Sequence, residues 1–344
     1  MSSKNDLDAR LMARAIQLSG RGFPAPNPHV GCVLAHGDII VGEGYHHYAG
    51  GIHAEVEALH AAGDRARGCT AFVTLEPCNH FGRTPPCSEA LISAGVQRVV
   101  VAVSDPNPIA AGGLAKLEAA GIKVEVGTLK AEAATANVRF LTAMRLKRPY
   151  IVVKAAASLD GRIALSNGES KWITCDAARK ASHRLRAECG AVLVGRRTVE
   201  ADDPLLTARV PGVVNQPVRI VLDPSHHLDK HWKVFDSSAP TVHVFDGALG
   251  LKADQCGFDL SELCKALWLQ GITGLLVEGG AITATSFIKS DLVDRIELFM
   301  APKLLGNGPS WIEGLGIETL AEAPSFKVIS VKKLTGDIQI SLSR

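Results

Sequence analysis

Residues 53–55 read His-Ala-Glu, and residues 74–87 read Thr-Leu-Glu-Pro-Cys-Asn-His-Phe-Gly-Arg-Thr-Pro-Pro-Cys. These two stretches supply one histidine, His53, and two cysteines, Cys78 and Cys87, as candidate ligands of a zinc ion. Three protein ligands leave the fourth tetrahedral position for water, as in catalytic zinc sites, and the metal lowers the pKa of that water. Glu55 follows the histidine closely and is the candidate proton shuttle. The pattern therefore predicts a hydrolytic zinc site.

The order His-x-Glu and then Pro-Cys is typical of zinc deaminases that act on cytosine or adenine, in which the cysteines are separated by two residues. Here residues 79–86 separate Cys78 from Cys87. Two other interpretations stay open at this point. The residues could be small buried hydrophobic groups, or they could form a closed structural zinc site with His80 or Cys69 as fourth ligand. The glutamate near the histidine and the proline before Cys78 favour the catalytic interpretation.

Composition indicates an ordinary globular protein, with 47% hydrophobic and 21% charged residues. A net charge of +2 gives no electrostatic reason to expect a nucleic-acid partner. The N-terminal residues lack an apolar signal segment, and no apolar run is long enough to cross a bilayer. The eight cysteines show no disulfide framework spacing. We therefore expect a cytoplasmic protein with no membrane contact.

The first half of the chain alternates predicted helices and strands. Helices are predicted at residues 8–18, 53–62 and about 113–120, and strands at 30–34, 39–41, 70–75, 99–103 and 122–126. This alternation predicts an α/β sheet with helices on its faces, in which ligands gather at strand ends and helix starts. The three candidate zinc ligands fall at such places.

A boundary is predicted at Lys147-Arg148-Pro149, because a proline disfavours helix at the residue before it. The length of 344 residues also favours two domains. Beyond the boundary, strands are predicted at residues 150–157, 191–194, 218–222, 241–245, 274–277 and 295–301, with an antiparallel edge hairpin at 326–331 and 338–342.

Glycines mark a candidate phosphate site in the second half. Glu278-Gly279-Gly280 ends a predicted strand and precedes a predicted helix at residues 281–289. Glycines at such a turn let backbone N–H groups approach a phosphate, and the helix dipole favours the anion. A tight turn without a ligand is an equally good interpretation of this segment alone.

The chain resembles the bifunctional deaminase–reductase family of riboflavin biosynthesis over nearly its whole length. Its first half carries the motif at residues 53–55 and 74–87 together with Asn-Pro-His-Val-Gly at 27–31 and Asp-Pro-Asn-Pro at 105–108. The second half carries the segments 154–162, 168–174, 201–204 and 301–306. The long insert between the cysteines, with Gly-Arg-Thr-Pro-Pro, distinguishes this family from cytidine and tRNA-adenosine deaminases.

The resemblance implies a cytidine-deaminase-like α/β/α sandwich at residues 1–146 and a dihydrofolate-reductase-like α/β domain at 147–344. It also implies zinc in the first and NADPH in the second. The implied substrate is 2,5-diamino-6-(5-phosphoribosylamino)pyrimidin-4-one, which first loses its 2-amino group by hydrolysis. The ribosyl group of the product is then reduced to ribityl. The expected partner is thus a small phosphoribosyl-pyrimidine, and we expect a homo-oligomer.

The same resemblance assigns site residues. Deaminase substrate contacts are implied at Asn27, His80 and Arg83, of which Arg83 suits a phosphate. NADPH contacts are implied at Ala156, Trp172, Thr198, Asp202, Gly280, Ala281, Ile282, Thr283, Ala284, Thr285 and Ser286, and Ser225 is a candidate for the 2′-phosphate. Reductase substrate contacts are implied at Ser170, Arg186, Leu206, Arg209 and Glu278. The ionisable candidates for the reduction are Lys154 and Glu278.

One segment departs from the family pattern. After residues 105–108 the family usually continues with a glycine, a basic residue and a second glycine, whereas residues 109–114 read Ile-Ala-Ala-Gly-Gly-Leu. The missing basic group weakens a phosphate contact there. Two rival functions stay open: a monofunctional deaminase with a non-catalytic C-terminal domain, and a zinc-stabilised binding module.

Overall fold

A computed structural model describes residues 4–81, 85–254 and 257–344. The chain divides into two compact units, Met1–Leu146 and Lys147–Arg344. No helix in the described ranges combines the length and the apolar character that a membrane crossing requires.

The first unit contains one mixed sheet. Its strands are β1 (Gly31–His36), β2 (Ile39–Tyr45), β3 (Thr70–Leu75), β4 (Arg98–Val103) and β5 (Lys123–Val126). They form a five-stranded sheet in the order β2-β1-β3-β4-β5. Strand β1 is antiparallel to both its neighbours, whereas β3, β4 and β5 run parallel. The helices are α1 (Lys4–Ser19), α2 (Ala54–Ala62), α3 (Cys87–Ser93), α4 (Gly113–Ala119), α5 (Lys130–Ala136) and α6 (Val138–Leu146).

Helices cover both faces of this sheet, because the central strands are apolar on both sides. Val99 and Val101 of β4 pack in a cluster with Ala58 of α2, whereas Val100 packs in a second cluster with Met12 of α1. Successive side chains of a strand point to opposite faces, so a continuous apolar run needs a helical layer on each side. This confirms the predicted α/β/α sandwich.

The second unit contains a larger sheet. Its strands are β6 (Tyr150–Ser158), β7 (Ala191–Gly195), β8 (Val218–Leu222), β9 (Thr241–Val244), β10 (Ala253–Asp254), β11 (Gly257–Phe258), β12 (Gly274–Val277), β13 (Arg295–Ala301), β14 (Lys327–Lys333) and β15 (Ile338–Ser343). Eight of them pair in the order β14-β15-β13-β6-β12-β7-β8-β9, and β10 pairs with β11. The helices are α7 (Asp176–Cys189), α8 (Arg196–Asp202), α9 (Leu260–Leu269) and α10 (Ala281–Lys289).

Strands β13, β6, β12, β7, β8 and β9 run parallel, and the terminal hairpin β14–β15 joins them antiparallel. The carboxyl ends of the parallel strands therefore meet at one edge of the sheet, where ligands bind in open α/β sheets. Two turns with glycine leave this edge, one at Gly195, the last residue of β7, and one at Gly279-Gly280 after β12.

Candidate functional site

The three candidate zinc ligands converge in the first unit. The Nδ1 atom of His53 lies 3.2 Å from Sγ of Cys87 and 3.6 Å from Sγ of Cys78. Zinc–sulfur bonds of about 2.3 Å and zinc–nitrogen bonds of about 2.0 Å in a tetrahedral site place the sulfur and nitrogen atoms about 3.5 Å apart. The donor set and its spacing therefore fit a zinc ion held by one imidazole and two thiolates.

Local structure explains why these side chains meet. His53 is the N-cap residue of α2, and Cys87 is the first residue of α3. Hydrogen bonds from Cys87 and His53 lower the pKa of Cys78, whereas the hydrogen bond with Cys78 and burial raise the pKa of Cys87. The sequence had predicted His53 inside the first turn, whereas the helix begins one position later, at Ala54.

Neither Cys69 nor His80 adds a fourth ligand. Within the described residues, the group whose candidate ligand atoms all lie within 4.8 Å of one another consists of His53, Cys78 and Cys87. Cys69 is buried in the hydrophobic core instead. An open fourth position is the arrangement of catalytic rather than structural zinc.

Glu55 lies beside the ligand group and is only 3% exposed. Burial raises the pKa of Glu55 to about 7, although His53 opposes the shift. A carboxyl group with a pKa near neutrality can both accept and release a proton at physiological pH, which a proton shuttle requires.

Asn27 and His80 present polar atoms near this group. The Asn27 amide lies 3.1 Å from Nε2 of His46, whose Nδ1 is 3.0 Å from the carbonyl oxygen of Ile52. The buried Nδ1 atom of His80 has no hydrogen-bond partner among the described residues. Arg83 lies outside the described residues.

A second carboxylate holds the segment that follows β4. Glu76 accepts hydrogen bonds from the backbone N–H groups of Asp105, Gly112 and Leu114. An added Cβ at Gly113 would lie 1.9 Å from the carbonyl oxygen of Pro77. The unusual 109–114 segment is thus packed directly against the residue that precedes the ligand Cys78.

In the second unit, three ionisable side chains meet at the strand ends. Arg186 of α7 donates to both carboxylate oxygens of Glu278, at 2.7 and 2.9 Å, and the ammonium of Lys154 lies 3.9 Å from the same carboxylate. Burial alone would raise the pKa of Glu278, but the charges of Arg186 and Lys154 outweigh it and lower that pKa to about 2. Burial is also the main reason why the pKa of Lys154 is lowered.

The implied reductase substrate residues differ in their contacts and exposure. Arg186 also donates to the carbonyl oxygen of Thr207 at 3.0 Å, which leaves only part of its donor set free. Leu206 is buried and has a positive φ of 54°, whereas Arg209 is exposed. Ser170 lies half-buried in the loop before α7. Arg209 is therefore the more accessible guanidinium for a phosphate.

The glycine turns fit a dinucleotide. An added Cβ at Gly279 would lie 2.5 Å from Cβ of Thr283, and one at Gly195 would lie 3.1 Å from Oγ1 of the same residue. The turns after β7 and β12 therefore both approach the first turn of α10. Space is open around Gly280, the N-cap of that helix. Backbone N–H groups at such a glycine-lined helix start suit a pyrophosphate.

The other implied NADPH residues lie on the elements at this edge. Trp172 is 64% exposed and stacks with the guanidinium of Arg179, while Asp202 at the end of α8 lies 3.6 Å from Lys171. Ala156 and Thr198 are half-buried, and Ser225 is exposed after β8. Within α10, Ile282 is 58% exposed, whereas Ala281, Ala284 and Thr285 are buried. Thr283 and Ser286 are half-buried.

Sequence reasoning missed three side chains that support these groups: His46, Glu76 and His183. Each acts through a hydrogen bond to a residue that is distant in sequence. Only His183 carried a local signal, because it stands one helical turn before Arg186 on α7 and shares its face.

Comparisons with known proteins agree with both halves. Residues 5–103 match the sequence model of the cytidine and deoxycytidylate deaminase zinc-binding region, and residues 149–340 match that of the RibD C-terminal domain. The riboflavin biosynthesis protein RibD of Aquifex aeolicus is 45% identical, over 98% of this chain and 99% of the relative. RibD of Escherichia coli is 41% identical, over 97% and 99%.

Solved structures give the same result. A structure of RibD from Acinetobacter baumannii has a TM-score of 0.90 at 40% identity, with 99% of each chain covered. A diaminohydroxyphosphoribosylaminopyrimidine deaminase/5-amino-6-(5-phosphoribosylamino)uracil reductase from Thermotoga maritima has a TM-score of 0.87 at 34% identity, also with 99% of each chain covered.

Proposed function

The chain belongs to the RibD family of bifunctional deaminase–reductases of riboflavin biosynthesis, and we propose that its two units act in turn on one phosphoribosylaminopyrimidine. Residues 1–146 carry the zinc-dependent deaminase, and residues 147–344 carry the NADPH-dependent reductase. The deaminase substrate is 2,5-diamino-6-(5-phosphoribosylamino)pyrimidin-4-one. The monofunctional alternative is not favoured, because the second unit matches the RibD C-terminal domain.

The deaminase residues have distinct roles. His53, Cys78 and Cys87 would hold a zinc ion, and the bound metal would supply a water molecule of lowered pKa for attack on C2 of the pyrimidine. Glu55 takes one proton from that water as its oxygen bonds to C2 and delivers this proton to the ring nitrogen. It then carries the second proton from the new hydroxyl group to the amine, which leaves as ammonia when its bond to C2 breaks. Asn27 and His80 hold the pyrimidine ring. Arg83 is assigned to the phosphate by family resemblance.

In the reductase, NADPH supplies a hydride to C1′ of the sugar. Lys154 protonates or orients the sugar, Glu278 orients it as an anion, and Ser170, Leu206, Arg186 and Arg209 bind the substrate. The NADPH contacts are assigned to Ala156, Trp172, Thr198, Asp202, Ser225 and residues 280–286. The protein's main task is to align C1′ with the nicotinamide. Support comes from the Lys154–Glu278–Arg186 cluster at the same sheet edge as the glycine turns.

The observation that carries the proposal is the ligand group of His53, Cys78 and Cys87 with the buried Glu55 beside it. The test is the product mass after incubation with the diaminopyrimidine nucleotide. Without NADPH the mass rises by about one unit as amine is exchanged for oxygen, and with NADPH it rises by about two more. An unchanged mass in the presence of bound zinc refutes the deaminase. A first increment without the second refutes the reductase.

We also propose a homo-oligomer. Strand β14 lies at the edge of the larger sheet, and its Val328, Ile329 and Val331 side chains are 51–65% exposed. Exposed apolar side chains on an edge strand favour pairing with a second chain. Light scattering of the native chain and of Val331→Lys tests this, and a native monomer at micromolar concentration would refute it. The cytoplasmic location is likewise a proposal, testable by fractionation.

A further inference from the structure

The segment from Leu206 to Arg209 is held in a conformation that its own sequence does not favour. Leu206 has a φ of 54° and is 3% exposed. A left-handed conformation costs free energy in a residue with a branched side chain. Such residues persist where the surrounding structure fixes them, and they cluster at ligand clamps.

Gln216 holds one part of the segment. Its side-chain amide accepts from the N–H group of Ala208 at 2.8 Å and donates to the Ala208 carbonyl oxygen at 3.2 Å. Arg186 donates to the carbonyl oxygen of Thr207 at 3.0 Å while it pairs with Glu278. Neither contact reaches the backbone of Arg209, whose exposed guanidinium is assigned to the substrate phosphate.

His183 supplies the remaining contact. Its Nδ1 atom lies 3.0 Å from the carbonyl oxygen of Thr207 and 3.3 Å from the backbone nitrogen of Arg209, which donates to it. A proton on Nδ1 would be donated to Thr207, whereas a lone pair there accepts from Arg209. Both tautomers tie the ring to the same segment, so α7 is linked to Arg209 in either case.

Electrostatics keeps this ring neutral near pH 7. Burial and the positive charges of Arg186 and Arg209 lower the pKa of His183, and the Thr207 carbonyl and Glu278 oppose the shift only in part. A neutral ring adds no third positive charge next to the two guanidinium groups.

We propose that His183 is a positioning residue for phosphate recognition in the reductase half, because it fixes the backbone from which the Arg209 side chain reaches the substrate. The inference rests on the proposed function, since it concerns the phosphate of the deaminated ribosylaminopyrimidine. His183 does not touch the substrate and acts through Arg209.

The test compares two substrates, the deaminated phosphoribosyl intermediate and its dephosphorylated counterpart, in the zinc-loaded, full-length enzyme with NADPH. His183→Ala raises the KM for the phosphorylated substrate about tenfold, the factor expected for one lost hydrogen bond. Its kcat and the KM for the dephosphorylated substrate stay within about twofold. His183→Asn keeps the native KM, because its amide is attached at Cγ, as Nδ1 is, and can accept from Arg209 and donate to Thr207 at once. Lys180→Ala, an exposed residue of α7, is the matched control and leaves both KM values unchanged.

A double variant tests whether the effect passes through Arg209. When Arg209→Ala is already present, His183→Ala adds no further rise in KM, because coupled residues are not additive. Full additivity overturns the inference, as does an unchanged KM in His183→Ala. If His183→Ala does not fold, His183→Gln replaces it and gives an intermediate KM, because its longer side chain does not place the amide where Nδ1 lies. A native enzyme that does not reduce the phosphorylated substrate refutes the proposed function itself.

Discussion

Two buried glutamates show how neighbours decide the behaviour of the same side chain. Burial raises the pKa of Glu55 to about 7, because the opposing charge of His53 offsets only part of the effect of burial. The side chain of Glu278 is only 7% exposed, but the charges of Arg186 and Lys154 lower its pKa to about 2. Glu55 can therefore exchange protons at neutral pH, whereas Glu278 remains an anion. The two residues suit proton transfer and electrostatic positioning, respectively.

Glu55→Gln separates proton transfer from metal binding. The amide preserves shape but cannot take a proton, so kcat for deamination falls about 10²–10⁴-fold. Bound zinc, measured by atomic absorption, stays at the native level because Glu55 is not a ligand. Glu118→Gln, at an exposed position of α4, keeps full activity as the control. Loss of zinc from Glu55→Gln, or full retained activity, contradicts the assigned role.

Glu278→Gln tests the charge cluster of the reductase unit. The substitution leaves Arg186 and Lys154 buried without their counter-charge, which destabilises the unit by about 3–5 kcal/mol at pH 7. The pKa of Glu278 is lowered from 4.5 to about 2. The carboxylate therefore contributes its full stabilisation at pH values above about 4.5, the pKa in the unfolded chain. That stabilisation is lost as the pH falls towards about 2, the pKa of Glu278 in the folded chain.

Urea unfolding at a series of pH values measures this difference. The native chain and Glu278→Gln differ most at pH 7 and converge as the pH falls from about 4.5 towards 2. Glu262→Gln removes an exposed ion pair with Lys265 and changes stability by less than about 0.5 kcal/mol. A difference between native and Glu278→Gln chains that does not depend on pH would contradict the charge argument.

At the scale of the element, helix α4 supports the zinc site through close backbone contact. Gly113→Ala would bring a Cβ to 1.9 Å from the Pro77 carbonyl oxygen, so either the helix start or the segment before Cys78 has to move. We expect zinc affinity to fall about 10–100-fold, as for other changes to the groups that support metal ligands. A chelator competition assay measures this. Gly20→Ala is the control, because an added Cβ there lies 3.8 Å from its nearest neighbour. An unchanged zinc affinity in Gly113→Ala refutes the link between α4 and the zinc site.

The elements that could be predicted from sequence are those with a strong apolar pattern. The predicted strand at 218–222 coincides with β8, and the predicted hairpin at 326–331 and 338–342 appears as β14 and β15. Helix α7 was not predicted, because its segment is rich in charged residues and its apolar stripe is narrow. The hydrogen bond from Arg209 to His183 could not be predicted either, since it depends on how a loop folds back onto a helix.

At the scale of the whole molecule, each unit has its own sheet and its own hydrophobic core. The first unit packs apolar clusters on both faces of its sheet, so its fold does not depend on the metal as a small zinc-stabilised module does. Metal removal should therefore stop one activity without unfolding the chain.

Chelation with a strong zinc ligand tests this independence. Deamination falls to background. Reduction of the supplied deaminated intermediate, measured by NADPH absorbance, continues at the native rate. It does so because Lys154, Glu278 and the glycine turns lie in the other unit. Circular dichroism should show that helix content is retained, and added zinc should restore deamination. Unfolding of the first unit on chelation would instead support a zinc-stabilised binding module. If reduction were lost in parallel with deamination, the two activities would be coupled. Loss of zinc from His53, Cys78 and Cys87 would then affect the reductase residues, which belong to a different sheet and a different hydrophobic core.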